Sequence, residues 1–188
     1  MEVKAALGDS RQRCGRIVST MEDRAGSRGC ACDGCDGIRR RIIEQLERLG
    51  QRSLRVSKHL LFSLEIGGEE LMLPVDLLVF DGDRPVLLVE CVAGHFAVRE
   101  RAALSKARLL PGGPVPLVMV ANEADAVVVE VERGKEIAFG VDGLTSVLDK
   151  GFDAWRNPPK PSPETIERER RVLAAYGNLG CGGGRDLS

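Results

Sequence analysis

The chain has 188 residues and a formal net charge of -1, long enough for one domain with extensions around a real core. So even a charge balance excludes a generic polyanion binder and leaves any nucleic-acid contact to a local basic patch. One Trp, one Tyr and five Phe are too few for a single-strand stacking platform.

Residues 1–36 are rich in Gly, Arg, Asp and Ser and carry no sustained apolar period, so a flexible Cys/Gly-rich extension is expected there. Met1 to Arg13 contains no apolar h-region, and no run approaches the roughly 20 apolar residues that span a bilayer. A cytoplasmic protein with no membrane association is the expectation.

The main α/β domain is expected over 37–150. Ile38, Ile42, Ile43, Leu46 and Leu49 mark one face of a helix that Gly50 ends, with Arg40, Arg41, Glu44, Glu47 and Arg48 on the other. Leu54 to Ile66 reads as a strand and Gly67-Gly68 as a hairpin turn. Glu70 to Phe80 and Pro85 to Val92 then form two strands around an Asp81-Gly82 turn. Ala97 to Leu110 is a second predicted helix, stopped by Pro111-Gly112-Gly113-Pro114. Val115 to Ala121 and Ala126 to Val131 have high β-propensity, and Glu136 to Val141 is a weaker strand. Asn122-Glu123-Ala124-Asp125 is most simply a turn between strands. Residues 151–188 read as a Pro-rich linker, a charged helix from Glu164 to Tyr176, and a tail. That order predicts an α/β fold with a central mixed sheet flanked by helices.

Asp76 and Glu90 each interrupt an otherwise apolar strand. Ionised carboxylates seldom enter buried strands unless a cation compensates them, so the two acids together form a candidate divalent-metal site. Such a site suits phosphodiester chemistry. Each acid could also simply face solvent from an edge strand.

Ile38-Arg39-Arg40-Arg41-Ile42-Ile43 with Leu49-Gly50, the strand from Pro74 to Phe80, the strand from Pro85 to Cys91, and Leu117 to Asn122 together resemble the PD-(D/E)XK nuclease superfamily. Within it they resemble the N-terminal nuclease domain of type I restriction enzyme R subunits. The resemblance implies a restriction-endonuclease-like core that acts on DNA and works with motor or specificity subunits. It implies that Asp76 and Glu90 bind Mg²⁺ or Mn²⁺ at the scissile phosphate, and that an acid near the start of the first helix assists, with Asp36 and Glu44 the candidates. The superfamily also expects a lysine two residues after the glutamate, where this chain has Val92. Valine can neither orient water nor stabilise developing charge. Either a lysine arrives from elsewhere, Lys106 first and Lys58 second, or the fold persists as a non-catalytic binding or structural protein.

The chain has six cysteines. Cys30-x-Cys32-x-x-Cys35 supplies three thiolates at short spacing, which suits zinc or an iron-sulfur cluster if Cys181 or Cys14 adds a fourth. They could equally be free thiols. Cys91 is expected in the core, His59 and His95 lack a paired ligand spacing, and the run Arg39 to Arg41 could mark a phosphate-binding face but reads first as a solvated helix face.

Overall fold

The computed structural model describes residues 17–20, 33–50, 54–92, 97–149 and 151–176. Two helical layers enclose a mixed sheet whose strands lie side by side in chain order.

Helix α1 (Asp33–Arg48) buries Ile38, Ile42 and Leu46, the four-residue spacing that stacks side chains on one face. It begins at Asp33 rather than Ile38 because its first turn has work of its own: Cys35 enters the core and Asp36 pairs with Arg39 one turn on. The stretch expected to lack regular structure also holds strand β1 (Ile17–Thr20), which pairs antiparallel with the next strand. A strand that short leaves no readable period in the sequence.

Strands β2 (Leu54–Ile66), β3 (Glu69–Asp81) and β4 (Arg84–Cys91) form an antiparallel meander. Gly67, Gly68 and Gly82 make its two turns, all at positive φ, where a side chain would be strained. Helix α2 (Ala97–Leu109) then carries the chain over the sheet, so that β5 (Leu117–Ala121) returns parallel to β4. Strands β6 (Ala126–Glu130) and β7 (Lys135–Phe139) complete the sheet antiparallel. Between β5 and β6 the Asn122 carboxamide oxygen accepts from the backbone N–H groups of Ala124 and Asp125, as the turn reading requires.

The predicted strand Glu136 to Val141 stops at Phe139, and helix α3 (Gly140–Leu148) follows at once. Gly140 at φ 73° makes the abrupt change of direction. Val141, Leu144, Val147 and Leu148 give α3 its buried face, a helical spacing that the strand reading had overlooked. The predicted helix from Glu164 to Tyr176 is present as α4 (Pro163–Tyr176), which packs on α2 and fully buries Leu173. At the start of the region 151–188, Arg84 donates to the carbonyls of Phe152 and Trp155, tying this segment to the β3–β4 hairpin.

Helices α1 and α3 cover one face of the sheet, over Leu77, Val79, Val89 and Cys91. Helices α2 and α4 cover the other, over Leu73, Val75, Leu88 and Val92. Each fully buried leucine or valine contributes about 1.5–3 kcal/mol, so Leu73, Leu77, Leu78 and Val79 of β3 and Val86 to Val89 of β4 anchor both strands in the core. They also carry the two acids.

Candidate active site

The pairing of β3 with β4 runs from Asp81 opposite Arg84 to Leu77 opposite Val89, and stops there. Beyond that point β4 stays with β5 and β3 stays with β2, so the two strands part as a fork. Asp76 and Glu90 are the first residues past the last pair. The fork also lies at the carboxyl end of β4, where parallel strands leave room for ligands.

Side chains bridge the fork in place of the lost ladder. Asp76 Oδ2 accepts the Cys91 backbone N–H at 2.8 Å. Lys106, from α2, donates at 2.7 Å to the Pro74 carbonyl on β3 and at 2.7 Å to Glu90 Oε1 on β4. The ammonium thereby satisfies a carbonyl that β4 no longer reaches, which is the accounting a buried backbone group demands.

A slip in strand alternation puts Asp76 where it is. Leu73 and Val75 face α2 and α4, whereas Leu77 and Val79 face α1 and α3. Strict period two would put all four on one face. Strand β2 slips at the same level, with Leu60 and Phe62 on the α2 side and Val56 against the α1 side. His59, opposite Asp76 between the pairs Lys58 with Leu77 and Leu60 with Val75, takes up the change at φ 50°. A β-carbon at positive φ is strained, and such strain concentrates at functional sites.

On the other side of Asp76 stands Arg39, whose guanidinium donates at 2.6 Å to Asp76 Oδ1 and also bonds Asp36 Oδ1. The Arg39 side chain is 5% exposed, Asp76 is 21% exposed and Asp36 is 53% exposed, so solvent reaches Asp76 past Asp36.

These contacts set the protonation behaviour of the site. Burial pushes the Glu90 carboxyl above its ordinary pKa; the Lys106 charge opposes that shift and the Asp76 charge adds to it. Burial alone would lower the Arg39 pKa, but its bonds to Asp36 and Asp76 outweigh burial and raise it. The Arg39 hydrogen bond and charge hold Asp36 below the usual carboxylate range.

A divalent ion suits this donor set. No group of three or more His, Cys, Asp or Glu side chains gathers as a metal cage among the described residues. Mg²⁺ needs none, since it is held by one or two carboxylates, waters and substrate phosphate oxygens. Each Asp76 oxygen accepts one hydrogen bond and retains a second lone pair.

The residues anticipated from sequence fare differently. Glu90 and Lys106 are brought into contact, and Asp76 stands on the other branch of the same fork, bonded to the Cys91 backbone N–H. Val92 is buried on the α2 side of the sheet, as the alternation required. Lys58 and Glu44 are exposed. Cys35 is buried among Ile38, Ile42 and Cys91 in the core, and Cys14, Cys30, Cys32, Cys181 and His95 lie outside the described residues. The sequence reading set one site residue too low and missed another. Arg39 is buried rather than part of a solvated run, and its i,i+3 spacing from Asp36 was the available signal. His59 sits at the site's kink, for which one sequence offers no signal.

The chain matches no family model, no curated protein and no solved structure. No helix among the described residues is long and apolar enough to cross a membrane.

Proposed function

We propose that this chain is a restriction-endonuclease-like domain that hydrolyses phosphodiester bonds in DNA, with Lys106 in the role that Val92 cannot fill. The observation that carries the reading is the buried Lys106 ammonium, 2.7 Å from Glu90 Oε1, at the fork where Asp76 also sits. Two acids on adjacent strands and a lysine on the same fork are the groups that metal-assisted phosphodiester hydrolysis requires.

Asp76 and Glu90 would hold Mg²⁺ or Mn²⁺. The bound ion supplies charge at the phosphoryl oxygen and lowers the pKa of a coordinated water. Lys106, anchored by Pro74, keeps its third proton for a water or a phosphate oxygen and stabilises charge that builds up in the transition state. Motor or specificity subunits as partners remain part of the proposal through the resemblance alone, and zinc or iron-sulfur ligation by Cys30, Cys32, Cys35 and Cys181 through the cysteine spacing alone.

A plasmid-nicking assay with Mg²⁺ or Mn²⁺ tests the reading. The full chain is expected to cleave, and Asp76→Asn and Lys106→Met to lose at least about a hundredfold in rate. Cleavage that survives Asp76→Asn would remove the site.

One observation favours a second reading, in which the fold binds nucleic acid without cutting it: Arg39 and Lys106 already compensate both acids. That reading predicts DNA binding with no turnover in either metal.

A further inference from the structure

Arg39 and Asp76 form a pair that makes little sense as a mere structural bridge. The guanidinium is buried and serves two carboxylates at once, Asp36 at the rim and Asp76 inside. It occupies the more exposed acid of the fork, 21% against 10% for Glu90. A buried cation covering a metal-binding carboxylate competes with that metal for the same charge.

The charge balance indicates where the guanidinium goes. Glu90 and Lys106 neutralise each other wherever their shared proton resides. Counting the groups ion-paired to these acids, Asp36 and Asp76 against Arg39 leave one negative charge. A divalent cation would turn that into one positive charge, and a single bridging phosphodiester would restore neutrality. Arg39 is also the group with the right geometry for that anion, since its planar fork donates to two oxygens at once. Having Asp36 as a second partner, Arg39 can let go of Asp76 without becoming unpaired.

We infer that Arg39 is the phosphate ligand of this site, held on Asp76 in the free protein and handed to a DNA phosphodiester when a divalent cation takes over the Asp76 carboxylate. The inference rests on the proposed metal-assisted reading. In consequence metal and DNA bind cooperatively: each relieves the charge imbalance that the other creates, and the coupling is reciprocal.

The test separates binding from cleavage. Mn²⁺ affinity of the full chain is measured by calorimetry, alone and with a short duplex oligonucleotide under Ca²⁺-free conditions at low temperature; duplex affinity is measured by fluorescence anisotropy with Ca²⁺. Arg39→Gln is expected to bind Mn²⁺ at least about tenfold more tightly than the unaltered chain, because the competitor is gone. It is expected to lose at least about tenfold in Ca²⁺-supported duplex affinity. Arg39→Lys, a point charge without the fork, retains the competition and loses the duplex affinity. The unaltered chain is expected to bind Mn²⁺ more tightly with duplex present.

Arg39→Gln that binds Mn²⁺ no more tightly overturns the inference. So does a duplex affinity indifferent to Arg39. If Arg39→Gln fails to fold, the unaltered chain and Arg39→Lys decide: absence of metal–duplex coupling in the former, or full duplex affinity in the latter, overturns it. Tighter Mn²⁺ binding by Arg39→Gln without any cleavage by the unaltered chain would sink the proposed activity and leave the Arg39 assignment standing. Cleavage with an Arg39-independent Mn²⁺ affinity would do the reverse.

Discussion

Lys106 meets Glu90 from the helix that covers its face of the sheet: its ammonium leaves α2, takes the Pro74 carbonyl of β3 and reaches Oε1 of Glu90 on β4, each at 2.7 Å. One side chain thus joins three elements. The pair is buried on both sides, and the physics of buried pairs fixes what its disruption should do.

Lys106→Met leaves the Glu90 carboxylate buried without its cation and should destabilise the fold by about 3–5 kcal/mol. The double variant Lys106→Met with Glu90→Gln removes both charges and should be more stable than Lys106→Met alone. Urea denaturation of the single and double variants measures this. Additive effects would mean that the two side chains do not depend on each other.

Val92 offers a transplant. The buried valine lies on the same face of the sheet as the α2 contacts, so Val92→Lys alone adds a second, uncompensated ammonium and should cost on the order of 3 kcal/mol. Combined with Lys106→Ala, the same substitution should regain stability relative to Lys106→Ala and recover part of any nicking activity. A double variant weaker than either single would show that position 92 cannot reach Glu90.

Glu169 predicts how the fold behaves in acid. This fully buried carboxylate on α4 accepts from Ser105 and is bridged by Arg101, Arg108 and Arg168. Burial alone would raise its pKa, but those partners outweigh it and hold the value down to about 2. A depressed carboxylate contributes stability that is complete above its ordinary value of 4.5 and is lost as pH falls toward 2. The urea midpoint should therefore drop through this window, and Glu169→Gln should lower stability at pH 7 while flattening the drop. An unchanged slope in Glu169→Gln would clear Glu169 of the effect. Glu90, whose pKa is raised, works in the opposite sense: its share of the stability falls as pH rises above 4.5.

His59→Gly should stabilise the fold by up to about 1 kcal/mol, because glycine adopts φ 50° without the β-carbon strain. His59→Val should destabilise it by at least as much. Both follow from chemical denaturation, and a stabilising valine would mean that the strand does not hold that backbone conformation.

Strands β2 to β6 were legible because their residues are anchored by burial and turns: Leu54 and Ile66 bound β2 in both readings, and Asp76 and Glu90 stood out as charges inside apolar runs. Lys106 was legible only as one of two candidates, since its contact depends on where a crossover helix comes to rest. Arg39 was hidden by its own neighbours, because Arg40 and Arg41 are exposed and make the run look uniformly solvated. Glu169 was hidden for a related reason: α4 is charged along its length, and nothing local separates the one acid that faces α2. The slip at His59 and Asp76 concerns two strands at once, so a reading of either strand alone assumes the alternation it breaks.

The latch between α4 and α2 has a temporal side. Ser105 and Arg108, which flank Lys106, are gripped on the outer side of α2 by Glu169. As the chain emerges from a ribosome, both acids and the lysine are made well before the helix that steadies them. An emerging chain would therefore hold every charged group of the fork while α2 is still loosely seated, and would gain its final geometry only when α4 docks.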